Sequence, residues 1–200
     1  TLALDAAKDI TNTGSSMAAG GDASLKAGGN VTFDTIQDKS VDTTHSTFKQ
    51  GGATGMTTTT TTTVTQVKSG LSSGGNLSID AGKDITLAGT NTRAAGNADL
   101  KAGGDLNMLA RENTTDIHSE SKASGFGMNG SLYGSTTVTT DSTSVRNVGS
   151  TLQVGGNASL AAGNDITVQG SSVDVKGSGT VSATNVNVLA GRNYDETTTT

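Results

Sequence analysis

Apolar and polar residues alternate over short runs in this chain, and the runs recur at set intervals. In Leu77-Ser78-Ile79-Asp80-Ala81 the apolar side chains share one face and Ser78 and Asp80 the other. That is the period of a half-buried strand. Ala81-Gly82-Lys83-Asp84 breaks the alternation, and Ile85 and Leu87 resume it. Gly and Asn/Asp tolerate the positive φ angles of a tight corner. The phrase therefore reads strand, corner, strand, and Gly21 to Phe33, Gly96 to Met108 and Gly156 to Val168 repeat it. A third short strand is predicted at Thr90 to Ala94 and at Ser171 to Val175.

Two periods are nested. Leu4-Asp5-Ala6, Ile79-Asp80-Ala81 and Leu160-Ala161-Ala162 return at one constant short spacing as Leu25-Lys26-Ala27, Leu100-Lys101-Ala102 and Val181-Ser182-Ala183. Asp9-Ile10-Thr11, Asp84-Ile85-Thr86 and Asp165-Ile166-Thr167 mark a longer step, spaced 75 and then 81 apart. A short period of about 20 residues is the signature of a solenoid. Three strands and three corners make one triangular coil, and the stack is a parallel β-helix with coils about 4.8 Å apart. The period fixes the contacts. Leu4 falls on Leu25, Ile79 on Leu100 and Leu160 on Val181. On the next face Ile10 meets Val31, Ile85 meets Leu106 and Ile166 meets Val186. Outside, Asp5 lies over Lys26 and Asp80 over Lys101, charge pairs that set register at about 0.2–1 kcal/mol each.

The predicted organisation is one β-helical repeat segment over residues 1–200, with regular coils at 1–34, 71–109 and 151–190. Between them lie Thr/Ser/Gly-rich inserts at 35–70 and 110–150. The first holds Thr57 to Thr63, seven threonines in a row. Thr suits strands, so the inserts read either as less regular coils or as hairpins that leave the stack. If everything stacks, the rod is about 40–50 Å long at one coil per 4.8 Å. A Thr array on one flat face would suit ice, but a consecutive run sends half its side chains the other way, which is inward in a coil.

Composition narrows the function. Of the 200 residues 32% are hydrophobic, 2% aromatic, and there is no Pro, Cys or Trp. A thin rod one coil wide needs no more core than that, and the periodic placing of the apolar residues argues against disorder. The net charge of −5 comes from mixed acids and bases with no basic stretch, so no nucleic-acid partner is expected. The apolar runs are too short to span a bilayer. No leader is visible at residue 1, and the chain starts and stops in mid-pattern, as expected of a piece of a longer protein.

The Ala-Gly-Asp/Asn-apolar-Thr phrases resemble the filamentous haemagglutinin repeats of two-partner-secretion exoproteins. Ser119 to Gly130, the Thr-rich run after it and Val148-Gly149-Ser150 resemble the second class of haemagglutinin repeat, common in large adhesins and contact-dependent growth inhibition effectors. Asp38 to Gln50 fits that pattern poorly, apart from His45-Ser46 against His118-Ser119. The resemblance implies a right-handed parallel β-helix (β-solenoid) of about 20–21 residues per coil, in a secreted filament on the bacterial outer cell surface. It implies as partners an outer-membrane transporter for the parent protein and the surface or outer membrane of a target cell. It implies no cofactor and no small-molecule substrate. In growth-inhibition members such a block precedes a toxin and helps deliver it.

Candidate chemistry is sparse, and no catalytic, cofactor-binding or metal residue is assigned. Asp84 and Asp105 should stack about 4.8 Å apart, near the spacing of a retaining glycosidase pair. Asp9/Asn30 and Asp165/Asn185 hold the same places, however, and Asn is no general acid. A corner ladder accounts for all three pairs, and no enzyme is expected. Gly74-Gly75-Asn76-Leu77 and Gly103-Gly104-Asp105-Leu106 put Leu where a calcium-binding β-helix repeat needs Gly. Gly125-x-Gly127-x-x-Gly130 lacks the apolar strand before it and the helix after it that a dinucleotide fingerprint requires, since Ser119 to Ser124 is polar and Ser131 to Thr140 is β-like. His45 and His118 hold similar places in the two inserts without a third ligand. The asparagine sequons arise by chance in a chain this rich in Ser and Thr. A carbohydrate-active or carbohydrate-binding β-helix is the alternative function, and the inserts are where specific binding would lie.

Overall fold

The computed structural model describes the backbone of residues 1–200 and every side chain but that of Gln50. The chain divides into two compact units, one of residues 1–37, 66–112 and 147–192, the other of residues 38–65, 113–146 and 193–200.

The first unit is a parallel β-helix of six coils. Coil 1 is β1 (Leu2–Ala6), β2 (Ile10–Thr13) and β3 (Ser16–Ala19). Coil 2 begins with β4 (Ala23–Ala27) and β5 (Val31–Asp34); the chain then leaves as β6 (Ile36–Gln50) and β7 (Ala53–Val67) and returns to close the coil with β8 (Gly70–Ser73). Coil 3 is β9 (Leu77–Ala81), β10 (Ile85–Ala88) and β11 (Asn91–Ala94). Coil 4 repeats the excursion: β12 (Ala98–Ala102), β13 (Leu106–Leu109), out along β14 (Arg111–Phe126) and β15 (Tyr133–Val148), back to β16 (Thr151–Val154). Coil 5 is β17 (Ala158–Ala162), β18 (Asp165–Gln169) and β19 (Ser172–Val175), and coil 6 is β20 (Gly179–Ser182) and β21 (Asn185–Leu189). The chain ends in β22 (Tyr194–Thr199).

Corresponding strands form three parallel sheets, β1-β4-β9-β12-β17-β20, β2-β5-β10-β13-β18-β21 and β3-β8-β11-β16-β19. The expected register is observed: Leu4 pairs Leu25, Ile79 pairs Leu100, Leu160 pairs Val181, Ile10 pairs Val31, Ile85 pairs Leu106 and Ile166 pairs Val186. Leu25, Ile79, Leu100, Val31, Ile85 and Leu106 are fully buried, because each coil covers the apolar edge of the one below it. Asp5, Lys26, Asp80 and Lys101 form one column of alternating charge along the outside of the first sheet. In coil 6 Val181, Val186, Val188 and Leu189 are exposed.

The inserts are hairpins and not coils. Their strands are 15 or 16 residues long, too long for one side of a triangular coil. The coil stack is therefore shorter than the 40–50 Å expected if everything stacked, and six coils give about 29 Å.

Both hairpins leave at the same corner, between the second and third strands, in coils 2 and 4. Coils 1, 3 and 5 turn that corner on Gly14, Gly89 and Gly170, at φ 59°, 56° and 54°. Left-handed backbone favours glycine, and here space demands it too. A Cβ on Gly89 would come 2.5 Å from Thr35 Cγ2 and 3.4 Å from Arg111 Cγ, on the departing segments of coils 2 and 4. Arg111 Nε and NH2 reach Asp34 Oδ1 and Oδ2 at 2.8 and 2.5 Å, joining coil 4 to coil 2. Burial pushes the Asp34 carboxyl up, but hydrogen bonds from Arg111 and Thr35 outweigh it and hold the group below its ordinary value. The same hydrogen bond raises the Arg111 guanidinium.

Candidate functional site

Two arrangements bear on function: the corner ladders of the coils and the sheet formed by the hairpins.

Asp84 and Asp105 lie in a ladder of six Asx residues. Asn30 N–H donates to Asp9 Oδ1 at 2.7 Å, Asp84 N–H to Asn30 at 3.1 Å, Asp105 N–H to Asp84 at 2.8 Å and Asp165 N–H to Asp105 at 3.2 Å. Asn185 Nδ2 donates to Asp165 Oδ1 at 2.7 Å. One oxygen of Asp84 is thus committed to the backbone of the next coil, as the amide oxygen of Asn30 is. The arrangement satisfies corner N–H groups that no strand reaches. A second ladder, Asp22, Asn76, Asn97, Asn157 and Ser178, does the same at the preceding corner, with N–H···O distances of 2.7 to 2.9 Å.

The third corner, where the hairpins leave, uses hydroxyls. Ser69 and Thr90 bond each other at 3.0 Å, Thr90 N–H donates to Ser150 Oγ, and Ser150 N–H donates to Ser171 Oγ. Ser69, Thr90 and Ser150 are buried. Thr92, in a column with Leu71 and Leu152, is buried with its Oγ1 unpaired.

The second unit is one antiparallel sheet in the order β6-β7-β14-β15-β22. The first hairpin pairs with the second through β7 and β14, and the second pairs with the last strand through β15 and β22. Thr43 bonds Thr60 and His45 bonds Thr58, which sets β6 against β7. His118 bonds Asp141 and Thr143 bonds Asp116, which sets β14 against β15. Apart from Gly125 and Val145, the described side chains are half-buried or exposed on both faces.

Opposite residues share a face. One face therefore carries the rows Thr43-Thr60-His118-Asp141-Thr198 and His45-Thr58-Glu120-Thr139. The other carries Thr44-Thr59-Ser119-Thr140-Thr199. On that face Thr59 bonds Ser119, Thr57 bonds Ser121, Thr140 bonds Thr199 and Ser142 bonds Thr197. The threonine run thus has no inward side, contrary to the coil expectation. Its alternate residues serve two open faces, and across the strands Thr57, Thr58, Thr59 and Thr60 bond Ser121, His45, Ser119 and Thr43. Arg146 grips both oxygens of Asp195 at 2.7 Å, tying β15 to the segment of β22.

His45 and His118 do occupy the same strand of their hairpins, but β7 lies between them and they sit in different rows. Their partners are Thr58 and Asp141, so they do not converge on a ligand. Gly125 to Gly130 ends β14 and makes a tight turn with a short 3-10 segment, Met128–Gly130, at whose start Gly127 is at φ 75°. Neither the corner glycines nor the cross-strand rows follow from the coil period. Gly14-Ser15, Gly89-Thr90 and Gly170-Ser171, spaced 75 and 81 apart, were the available signal for the turning corners.

The profile described as Hemagglutinin repeat matches residues 50–141 and 131–200, and one described as Repeats of unknown function matches residues 1–37. No curated protein and no solved structure matches the chain.

Proposed function

Since the chain belongs to the Hemagglutinin repeat family, we propose that it is a structural stalk segment of a secreted bacterial cell-surface filament, serving adhesion or contact-dependent delivery of a toxin to neighbouring cells. The observation that carries this reading is the unbroken register of six coils through two large excursions. Such a stack is extended by adding repeats, each resting only on its neighbours. The outer-membrane transporter of the two-partner system would export the parent, and the surface of the target cell would receive it. Stalk function is length, so residues 76–156 should behave as a cassette, because Asn76 and Asn157 hold equivalent corners one long repeat apart. Ten tandem copies in the parent filament should keep surface display and add about 96 Å, at two coils of 4.8 Å each, measurable by electron microscopy. Loss of display, or no gain in length, would overturn the reading.

The carbohydrate-active alternative would rest on Asp84 and Asp105. Their ladder bonds, which Asn30 also makes in the same column, supply a structural reason for both residues.

A further inference from the structure

We propose that the hairpin sheet binds a linear acidic polysaccharide, such as a polyuronate, in a groove that crosses its strands near the turns. The proposal goes beyond the stalk reading, which stands whether or not the groove binds.

The groove encloses about 640 Å³. Its lining takes three successive residues from each of four strands: Thr47, Phe48 and Lys49; Thr54, Gly55 and Met56; Lys122, Ala123 and Ser124; Ser135, Thr136 and Thr137. The register resolves this set into two walls and a floor. One wall is the row Thr47-Met56-Lys122-Thr137, the other Lys49-Thr54-Ser124-Ser135. The floor between them is the backbone of the row Phe48-Gly55-Ala123-Thr136, whose side chains point to the opposite face. The Phe48 ring lies against Gly55 so closely that a Cβ there would clash with it, so the ring backs the floor from behind. Two rows on one face are about 7 Å apart, and four strands span about 14 Å. Such a trough suits an extended chain laid across the strands better than a compact ligand.

The chemistry of the walls selects the chain. Five hydroxyls, on Thr47, Thr54, Ser124, Ser135 and Thr137, can bond sugar hydroxyls, and the Met56 side chain offers an apolar patch for a ring face. The charged groups are two ammonium ions, one on each wall, and no carboxylate is among the described lining residues. Lys122 bonds Glu120 at 2.9 Å, which uses one of its three donors. Among the described ion pairs Lys49 has no carboxylate partner. In a chain of net charge −5, this local reversal of sign is what an anionic ligand requires.

Isothermal titration of the full 200-residue chain with an oligogalacturonate tests the proposal, with a dextran oligosaccharide of equal length as the neutral control. Binding of the uronate, no binding of dextran, and a loss of at least tenfold in affinity in the Lys49→Gln/Lys122→Gln variant are expected, with unchanged circular dichroism. No uronate binding, equal binding of dextran, or undiminished affinity in the variant would overturn it. Phosphatidylglycerol/phosphatidylcholine vesicles form the second arm: Lys-dependent binding to vesicles without binding to the uronate would reassign the groove to a lipid surface and also refute the proposal.

Discussion

The sharpest consequence of the fold is at Gly89, where the two hairpin-bearing coils close on the coil between them. Replacing Gly89 by Ala meets two separate penalties. The left-handed φ of 56° is unfavourable by about 1–2 kcal/mol for a residue with a Cβ. The added methyl would also lie 2.5 Å from Thr35 Cγ2, and overpacking of this kind adds about 1–3 kcal/mol. Gly89→Ala should therefore destabilise the coil unit by about 2–5 kcal/mol. The two terms can be separated. Thr35→Ser removes the obstructing methyl and keeps the hydroxyl that bonds Gln66 Oε1 at 2.6 Å; alone it should be worth no more than about 0.8 kcal/mol. In the double variant the φ penalty persists and the clash is gone, so the pair should be less destabilised than the sum by at least about 1 kcal/mol. Urea unfolding followed by far-UV circular dichroism gives each corner of this cycle, with the m-value as a check on compactness. Additivity within about 0.5 kcal/mol would mean that the methyl does not meet Thr35, and the account of the alternating corners would fail.

Three further outcomes are expected. Thr92→Val should stabilise the coil unit by about 1 kcal/mol, since it replaces a buried hydroxyl with no partner by a methyl of similar shape; a loss of stability in the same urea assay would show that the hydroxyl has a role. Asp84→Asn should change stability by less than about 0.5 kcal/mol, because an amide oxygen accepts the Asp105 N–H as Asn30 accepts that of Asp84; a large loss would mean that the ladder needs the charge. Arg111→Gln should destabilise by about 1 kcal/mol at neutral pH for a half-exposed ion pair. The Asp34 carboxyl is held below its unfolded value, so its contribution is present above about pH 4 and is lost as pH falls through the lower folded value. The gap between Arg111→Gln and the parent chain should therefore close in acid, and a gap that widens there would contradict the assignment.

The coils were legible because each of their strands buries one face. Leu77, Ile79 and Ala81 alternate with polar residues, and Leu25 and Leu100 recur at the coil period, so pattern and register could be read together. The hairpins carry no such signal. A strand open on both faces has no reason to alternate, and Thr57 to Thr63 reads the same in any register. The two excursions lengthen the corner-to-corner step from 21 to 54 and 60 residues; both additions fall short of two whole coils, a mismatch that irregular coils and hairpins accommodate equally, so length alone did not distinguish the two forms. The groove was hidden for the same reason. Lys49 and Lys122 are distant in sequence, and only the pairing of β6, β7 and β14 puts them on facing walls. The Asp84/Asp105 pair shows the converse: the period that brings two carboxylates together also explains why they need no chemistry.

The corner ladders have a direction, and the direction sets an order of completion. At the two Asx corners a coil's N–H donates to the side chain of the coil before it, as Asp105 does to Asp84 and Asn97 to Asn76. At the hydroxyl corner the sense reverses: Thr90 N–H waits for Ser150, and Ser150 N–H for Ser171. When coils are laid down in chain order, a new coil finds two corners already furnished with acceptors, while its third stays open until its successor arrives. Closure thus lags addition by one coil, and the lagging corner is the one through which coils 2 and 4 pass out their hairpins. A whole hairpin can leave and return there before the coil that follows shuts the door behind it.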